Sequence, residues 1–116
     1  MSAHAPGRFT ATVRDSRTGP VIEAAGELDQ DSAIRLQTVL RRALAARPAP
    51  AVLVVDLAGV TFFDSSGLNT LVQARREAER QDTVVRLARP TGIVALVLEI
   101  TGIGQVFPID QDVPAG

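Results

Sequence analysis

The sequence predicts one α/β domain, with a mixed β-sheet of four to five strands packed with three to four helices. After residue 20, short β-branched apolar runs alternate with segments of helical periodicity, which is typical of this fold class. Each later strand is joined to the next through a helix, so those strands are expected to be parallel. Before them, two short strands separated only by turn residues predict an antiparallel hairpin.

The first half of the chain is expected to supply the hairpin and one helix. Apolar and polar residues alternate over 9–14 and 21–25, and the segment 15–20 between them is rich in turn residues. A helix is predicted over 32–46, and two prolines shortly after it end it. The candidates for its N-cap are Asp29, Asp31 and Ser32. Its apolar stripe consists of Ala33, Leu36, Leu40, Ala43 and Leu44.

The second half is expected to alternate strands and helices up to the end of the domain. Buried strands are predicted over 51–57 and 83–88, each followed by a helix. Gly102 occupies the position where the last helix favours a left-handed residue, and a final short strand is expected at 106–107. The stripe predicted to be buried on that last helix consists of Ile93, Leu96, Val97 and Ile100.

The composition limits the domain organisation and the classes of partner. With 116 residues the chain suits one domain, predicted over 9–110, between a flexible N-terminus at 1–8 and a flexible tail at 111–116. The chain contains no Cys, which excludes disulfides and thiolate metal sites. A net charge of -1 argues against nucleic acid, and no apolar run approaches the ~20 residues that span a bilayer. We expect a soluble cytoplasmic protein without a membrane partner, a metal or a cofactor.

The candidate functional segment is Asp64-Ser65-Ser66-Gly67, at the connection between the 51–57 strand and the next helix. A helix start leaves several backbone N–H groups without intrahelical partners and attracts negative charge. Asp and Ser are common N-caps at such a position. In open α/β sheets, functional sites gather at loops that leave the carboxyl ends of strands, as this loop does.

An enzymatic role for these serines is disfavoured. A serine at a strand-to-helix turn is also found in hydrolases, but the Gly-x-Ser-x-Gly pattern is absent. Activating a serine hydroxyl requires a base within about 3 Å, and the chain's one histidine is His4, in the predicted flexible terminus. We therefore predict no catalytic residue.

Five segments together resemble the anti-sigma factor antagonists of the STAS superfamily. They are Gly26-Glu27-Leu28-Asp29, Val55-Asp56-Leu57, the segment from Phe63 to Leu68, Arg89-Pro90 and Thr101-Gly102-Ile103. The most specific of them is the third, which reads Phe-Asp-Ser-Ser-Gly-Leu. The resemblance covers roughly residues 9–110 and implies a single STAS-like domain.

The resemblance implies a regulator in a bacterial partner-switching pathway. A dedicated serine kinase, which is also the anti-sigma factor, is expected to phosphorylate Ser65, the serine directly after the Asp of the motif. The unphosphorylated antagonist binds this kinase and frees the sigma factor, and a PP2C-type phosphatase resets the cycle. Phe63 and Asn69 depart from the family's usual Met and Gly at the edge of the docking surface. The residues expected to contact the partner are Asp29, Asp64, Ser66, Gly67, Leu68 and Asn69.

Other interpretations of the same residues stay open at this point. Ser66 and Asp29 also suit purely local helix capping, and Gly67 suits either close backbone packing or docking. The competing functional class is a scaffold or a nucleotide- or anion-sensing module that uses the loop without being phosphorylated. The absence of a glycine-rich cradle or a Lys between Leu57 and Leu71 argues against it.

Overall fold

Five strands and three α-helices alternate along the chain after an initial hairpin. The structure is a computed structural model, and it describes residues 8–115. The strands are β1 (Thr10–Ser16), β2 (Gly19–Leu28), β3 (Val52–Phe63), β4 (Val84–Ala88) and β5 (Ile109–Asp110). The helices are α1 (Gln30–Leu44), α2 (Ser65–Glu79) and α3 (Gly92–Thr101), and a 3-10 turn covers Ile103–Gln105.

The five strands form one sheet in the order of the sequence. β1 pairs with β2 in antiparallel fashion, and the pairs β2–β3, β3–β4 and β4–β5 are parallel. This arrangement confirms the predicted mixed α/β sheet. Because parallel strands end at the same edge of a sheet, the starts of α1, α2 and α3 all lie at that edge.

One face of the sheet carries the main hydrophobic core, against the three helices. Its fully buried members include Ile22, Leu36, Leu53, Leu71 and Leu87. Successive strand residues point to opposite faces, so Val54, between Leu53 and Val55, lies on the other side. There it forms a small cluster with Val21 and Ala88, and Val113 packs against that cluster. The last residues of the described chain thus cover part of the second face.

β3 extends six residues beyond Leu57, where the predicted strand ended. Its register against β2 shifts twice, between Glu23 and Ala25 and again between Gly26 and Glu27. The shifts break the alternation of buried and exposed residues, so the sequence pattern ended too early. A Cβ on Gly59 would lie 2.8 Å from the Cβ of Ala25, so this close strand pairing requires a glycine.

The predicted buried stripe of α3 is wrong at three of its four residues, since of the four only the partly buried Val97 packs against the core. Val94 and Leu98 are the buried residues, whereas Ile93, Leu96 and Ile100 are exposed. Nearly every residue of α3 is apolar, so the pattern does not fix which side faces the core. The prediction for its end is confirmed, since Gly102 follows it in the left-handed conformation with φ of 74°.

The last strand also lies elsewhere than predicted. It is β5 at Ile109–Asp110, whereas Val106 and Phe107 are outside any strand and Phe107 is buried in the core. β5 is held at its place by Asp110, whose carboxylate accepts two hydrogen bonds of 2.8 Å from Arg86 on β4.

The residues after β5 make specific contacts with the sheet. Arg14 on β1 donates a 2.9 Å hydrogen bond to the carbonyl oxygen of Pro114. The predicted flexibility of 111–116 concerns motion and stays a prediction, as does the domain boundary. The prediction for the N-terminus, including His4, lies outside the described residues except at Arg8. Among residues 8–115, no helix is long and apolar enough to cross a membrane.

Candidate functional site

The start of α2 is organised by Asp64, its N-cap. One carboxylate oxygen of Asp64 accepts a 2.9 Å hydrogen bond from the backbone N–H of Ser66, and its carbonyl oxygen accepts one from Leu68 N–H at 3.1 Å. Ser65 follows as the first residue of the helix and is exposed. The cap therefore fixes the turn that carries Ser65 and leaves the Ser65 side chain accessible to a partner.

Ser66 is not the helix cap that the sequence also allowed. It is the second helical residue, and the cap is Asp64. Within residues 8–115, its hydroxyl makes no hydrogen bond, whereas its carbonyl accepts one from the Thr70 hydroxyl at 3.0 Å. The two adjacent serines therefore both lie in the first turn of α2, and neither of them caps the helix.

Gly67 and Leu68 lie on the inner side of the same turn. A Cβ on Gly67 would come within 2.8 Å of both Cγ and Cδ2 of Leu28, and within 3.0 Å of a ring carbon of Phe63. Leu68 is buried and belongs to the main core. Both residues serve packing in the structure, which favours the steric interpretation of Gly67. Their contact with a partner stays a prediction.

The start of α1 lies beside the start of α2. Leu28 and Phe63 are register partners at the ends of β2 and β3, so the residues that follow them, Asp29 and Asp64, are neighbours across the strand pair. Asp29 is the N-cap of α1, in a capping box with Ser32. The backbone N–H of Ser32, 3.0 Å away, and then its hydroxyl lower the pKa of the Asp29 carboxyl below its ordinary value of 3.8. Helix α1 thus starts at Gln30, two residues before the predicted start.

Acidic side chains surround this edge of the sheet. Glu27 and Asp31 are exposed near Asp29 and Asp64, which are half-buried. The helices α1 and α2 carry Arg41, Arg42, Arg76 and Arg80 at their opposite, C-terminal ends. The end that presents Ser65 therefore carries a cluster of negative charge, whereas at the other end Arg41 and Arg75 pair with Glu77 and Glu79. Asn69 is exposed one turn further along α2, on the approach to Ser65.

The sequence and the fold agree with a known family. The sequence model of the STAS domain family matches residues 10–115 of the chain. This protein belongs to the STAS domain family. The family and the fold predicted from the sequence motifs are thereby confirmed.

Its similar relatives include anti-sigma factor antagonists. The STAS chain is 30% identical over 99 residues to the anti-sigma-F factor antagonist RsfA of Mycobacterium tuberculosis, covering 85% of this chain and 77% of RsfA. An anti-sigma factor antagonist from Mycobacterium paratuberculosis has the same fold, with a TM-score of 0.83, 25% identity and coverage of 94% and 91% of the two chains. The phosphorylated form of the Bacillus protein SpoIIAA shares the fold at a TM-score of 0.68 and 23% identity, with 90% and 92% covered. Such antagonists are regulators rather than enzymes, in agreement with the prediction for this chain.

An ion pair between the half-exposed Arg89 and the buried Asp56 joins the strand β3 to the residue after β4. Arg89 donates to both carboxylate oxygens of Asp56, at 2.6 and 3.2 Å, and the N–H of Ala58 donates to Asp56 at 3.1 Å. Arg89 has a φ of 52°, which an L-residue adopts only when surrounding contacts hold it there. Sequence reasoning missed this pair, because its members are 33 residues apart and no local signal joins them.

One open cleft of this STAS domain lacks the cations that a phosphate-bearing ligand would need. This cleft of about 270 Å³ lies between α3 and β5, and its lining includes Glu99 but no Lys or Arg. The mouths of α1 and α2 are already occupied by the carboxylates of Asp29 and Asp64, which would repel a free anion. Among residues 8–115, no group of three His, Cys, Asp or Glu side chains is placed to hold a metal ion.

Proposed function

We propose that this STAS domain is an anti-sigma factor antagonist that binds an anti-sigma factor serine kinase until that kinase phosphorylates Ser65. One observation carries the proposal: Ser65 is exposed at the first position of α2, and the Asp64 cap fixes the turn that presents it. The similarity to RsfA and to other anti-sigma factor antagonists supports the choice of partner.

The chemistry of the switch is electrostatic. Phosphorylation adds about -1.5 to -2 charges to a hydroxyl that is neutral before the reaction. The new dianion lies beside the Asp64 carboxylate, in a region that is already acidic. A partner surface shaped around a neutral hydroxyl then meets a bulky dianion beside the Asp64 carboxylate. Like charges brought together at an interface cost several kcal/mol, and about 3 kcal/mol already weakens binding roughly a hundredfold.

The fold itself does not need to change for this switch. Within residues 8–115, the Ser65 side chain makes no hydrogen bond that phosphorylation would break. Its position in the first turn places the phosphate near the positive end of the helix dipole, which offsets part of its repulsion from the Asp64 carboxylate. The switch therefore changes affinity for the partner and leaves the domain folded.

The surface offered to the kinase is the edge where α1 and α2 begin. Asp29, Asp64, Ser66 and Asn69 are its proposed contact residues, and the buried Gly67 and Leu68 support the turn from beneath. A PP2C-type phosphatase that removes the phosphate from Ser65 completes the cycle, in the bacterial cytoplasm. Release of the sigma factor follows when the kinase is held by the unphosphorylated antagonist.

The proposal is tested by measuring the intact mass of the protein after incubation with ATP and candidate anti-sigma factor kinases of its source organism. We expect one kinase to add the mass of a single phosphoryl group to the wild type and to Ser66→Ala, and none to Ser65→Ala. Phosphorylation of Ser65→Ala but not of Ser66→Ala would show that Ser66 is the acceptor. No transfer from any of these kinases would favour the scaffold or sensing module.

A further inference from the structure

An exposed isoleucine lies on the outer side of α1, close to the proposed docking edge. The side chain of Ile34 is 65% exposed, whereas Ala33, Leu36 and Leu40 of the same helix are buried in the core. Single exposed apolar residues are common on protein surfaces, so its exposure alone carries no conclusion. Its position relative to Ser65, however, indicates that a partner docked on Ser65 also covers Ile34.

The packing of α1 on α2 fixes that position. Gln37 on α1 and Gln73 on α2 are in contact at 3.5 Å, and Arg41 and Glu77 at 3.4 Å one turn further along. The two helices therefore run side by side with a constant offset. Ile34 precedes Gln37 by three residues, so it lies level with the turn of α2 that contains Asn69.

The distance from Ile34 to Ser65 follows from helix geometry. The contact between Gln37 and Gln73 spans 36 residues, which places Ile34 level with Thr70. The five residues from Thr70 to Ser65 rise about 7.5 Å, and packed helix axes lie about 8 to 10 Å apart, so the backbones at Ile34 and Ser65 are about 11 to 13 Å apart. A partner that buries the usual ~800 Å² covers a disc of about 16 Å radius, so a partner centred on Ser65 also covers Ile34.

The charges around Ile34 specify the partner's chemistry. Glu27, Asp29, Asp31 and Asp64 surround this edge of the sheet. The cation next to Ile34 in the chain, Arg35, is directed toward β1, where it donates to the Phe9 carbonyl at 3.3 Å. An apolar side chain beside this acidic rim is the complement of an apolar pocket that carries basic side chains along one edge.

We propose that Ile34 is the apolar anchor of the docking surface, and that the anti-sigma factor kinase receives it in an apolar pocket whose Lys or Arg side chains face the exposed Glu27 and Asp31 rather than Ser65. This inference rests on the proposed function. Anchors of this kind carry much of the binding free energy when they lie near the centre of an interface and exclude water. Ile34 then supplies binding free energy to the complex, and phosphorylation of Ser65 lowers the affinity for the kinase.

The test is a titration of the purified kinase, without ATP, against wild type, Ile34→Ala and the control Ile100→Ala. Ile100 is 74% exposed on α3, so the control removes the same atoms from another exposed isoleucine. We expect Ile34→Ala to weaken binding by at least about tenfold. We expect Ile100→Ala to stay within about twofold, and both variants to keep the wild-type melting temperature, since surface substitutions change stability little.

A Ser65→Asp variant separates this inference from the proposed function. If Ser65→Asp weakens binding but Ile34→Ala binds like the wild type, the assignment of Ile34 as the anchor is wrong and the proposed function stands. If Ile100→Ala weakens binding and Ile34→Ala does not, the kinase docks on α3 and the inference is overturned. If the wild type does not bind any candidate kinase, both proposals fail. The acidic rim further predicts that wild-type affinity falls as salt rises, and an affinity independent of salt would contradict it.

Discussion

The substitution Gly67→Ala, at the centre of the proposed site, has two opposite effects on the stability of the domain. Gly67 is the third residue of α2, and alanine favours a helix interior over glycine by about 1 kcal/mol. Against this, the new Cβ would lie 2.8 Å from Cγ of Leu28, well inside normal contact distance. Cγ is a branch point close to the backbone, and Leu28 is fully buried, so it has little freedom to move away.

The steric effect is expected to exceed the gain in helix propensity. Forcing an extra methyl group into a packed core costs about 1 to 3 kcal/mol. We therefore predict that Gly67→Ala lowers the free energy of unfolding by about 1 kcal/mol, which corresponds to about 4 °C in melting temperature for a domain of this size. Urea denaturation monitored by circular dichroism measures this change, together with the slope that reports exposed surface.

Gly104→Ala is the matched control for this measurement. A Cβ on Gly104 would meet Leu98 Cβ at 3.5 Å, an ordinary contact, so its unfolding free energy should stay within about 0.5 kcal/mol of the wild type. A Gly67→Ala variant as stable as the wild type, or more stable, would show that Leu28 yields easily. The close packing of α2 on β2 would then not explain the glycine.

Three further predictions concern the groups that hold the site in place. Asp64→Ala removes the cap of α2 and should cost about 1 kcal/mol of unfolding free energy, whereas Ser66→Ala should be neutral within about 0.5 kcal/mol; equal effects would contradict the assignment of the cap. Arg89→Ala leaves the buried Asp56 carboxylate with one backbone donor and should destabilise by about 2 kcal/mol, measured by chemical denaturation, with Asp56→Asn recovering part of the loss. Because the folded-state pKa of Asp29 is lowered, its contribution to stability is present above pH 3.8 and is lost as the pH falls through that lower value. Thermal melts between about pH 5 and pH 3 should therefore show a shallower loss for Asp29→Asn than for the wild type, and parallel curves would contradict this.

The parts of the fold that local patterns determine were predictable. The hairpin follows from alternation and a turn, and the caps of α1 and α2 follow from Asp residues directly before amphipathic segments. The motif around Ser65 identified both the family and the strand-to-helix connection that carries it. These features depend on residues that are neighbours in the chain.

The features that the sequence did not predict correctly depend on contacts between distant segments. The exposed side of α3 could not be chosen, because Ile93 and Val94 are equally apolar and only tertiary packing distinguishes them. The full length of β3 depends on register shifts against β2, which a single-strand pattern does not contain. Ile34 did carry a signal, since it falls outside the apolar stripe of α1, but its proximity to Ser65 becomes evident only from the contacts between helices.

The central claim is that one phosphate on Ser65 controls affinity for the kinase. The most direct test compares the phosphorylated and unphosphorylated wild-type protein in calorimetric titrations against the purified kinase without nucleotide. We predict that phosphorylation weakens binding at least about tenfold, or about 1.4 kcal/mol, that Ser65→Ala binds like the unphosphorylated protein, and that the melting temperatures of all forms agree closely. Equal affinities for the phosphorylated and unphosphorylated protein would contradict the switch.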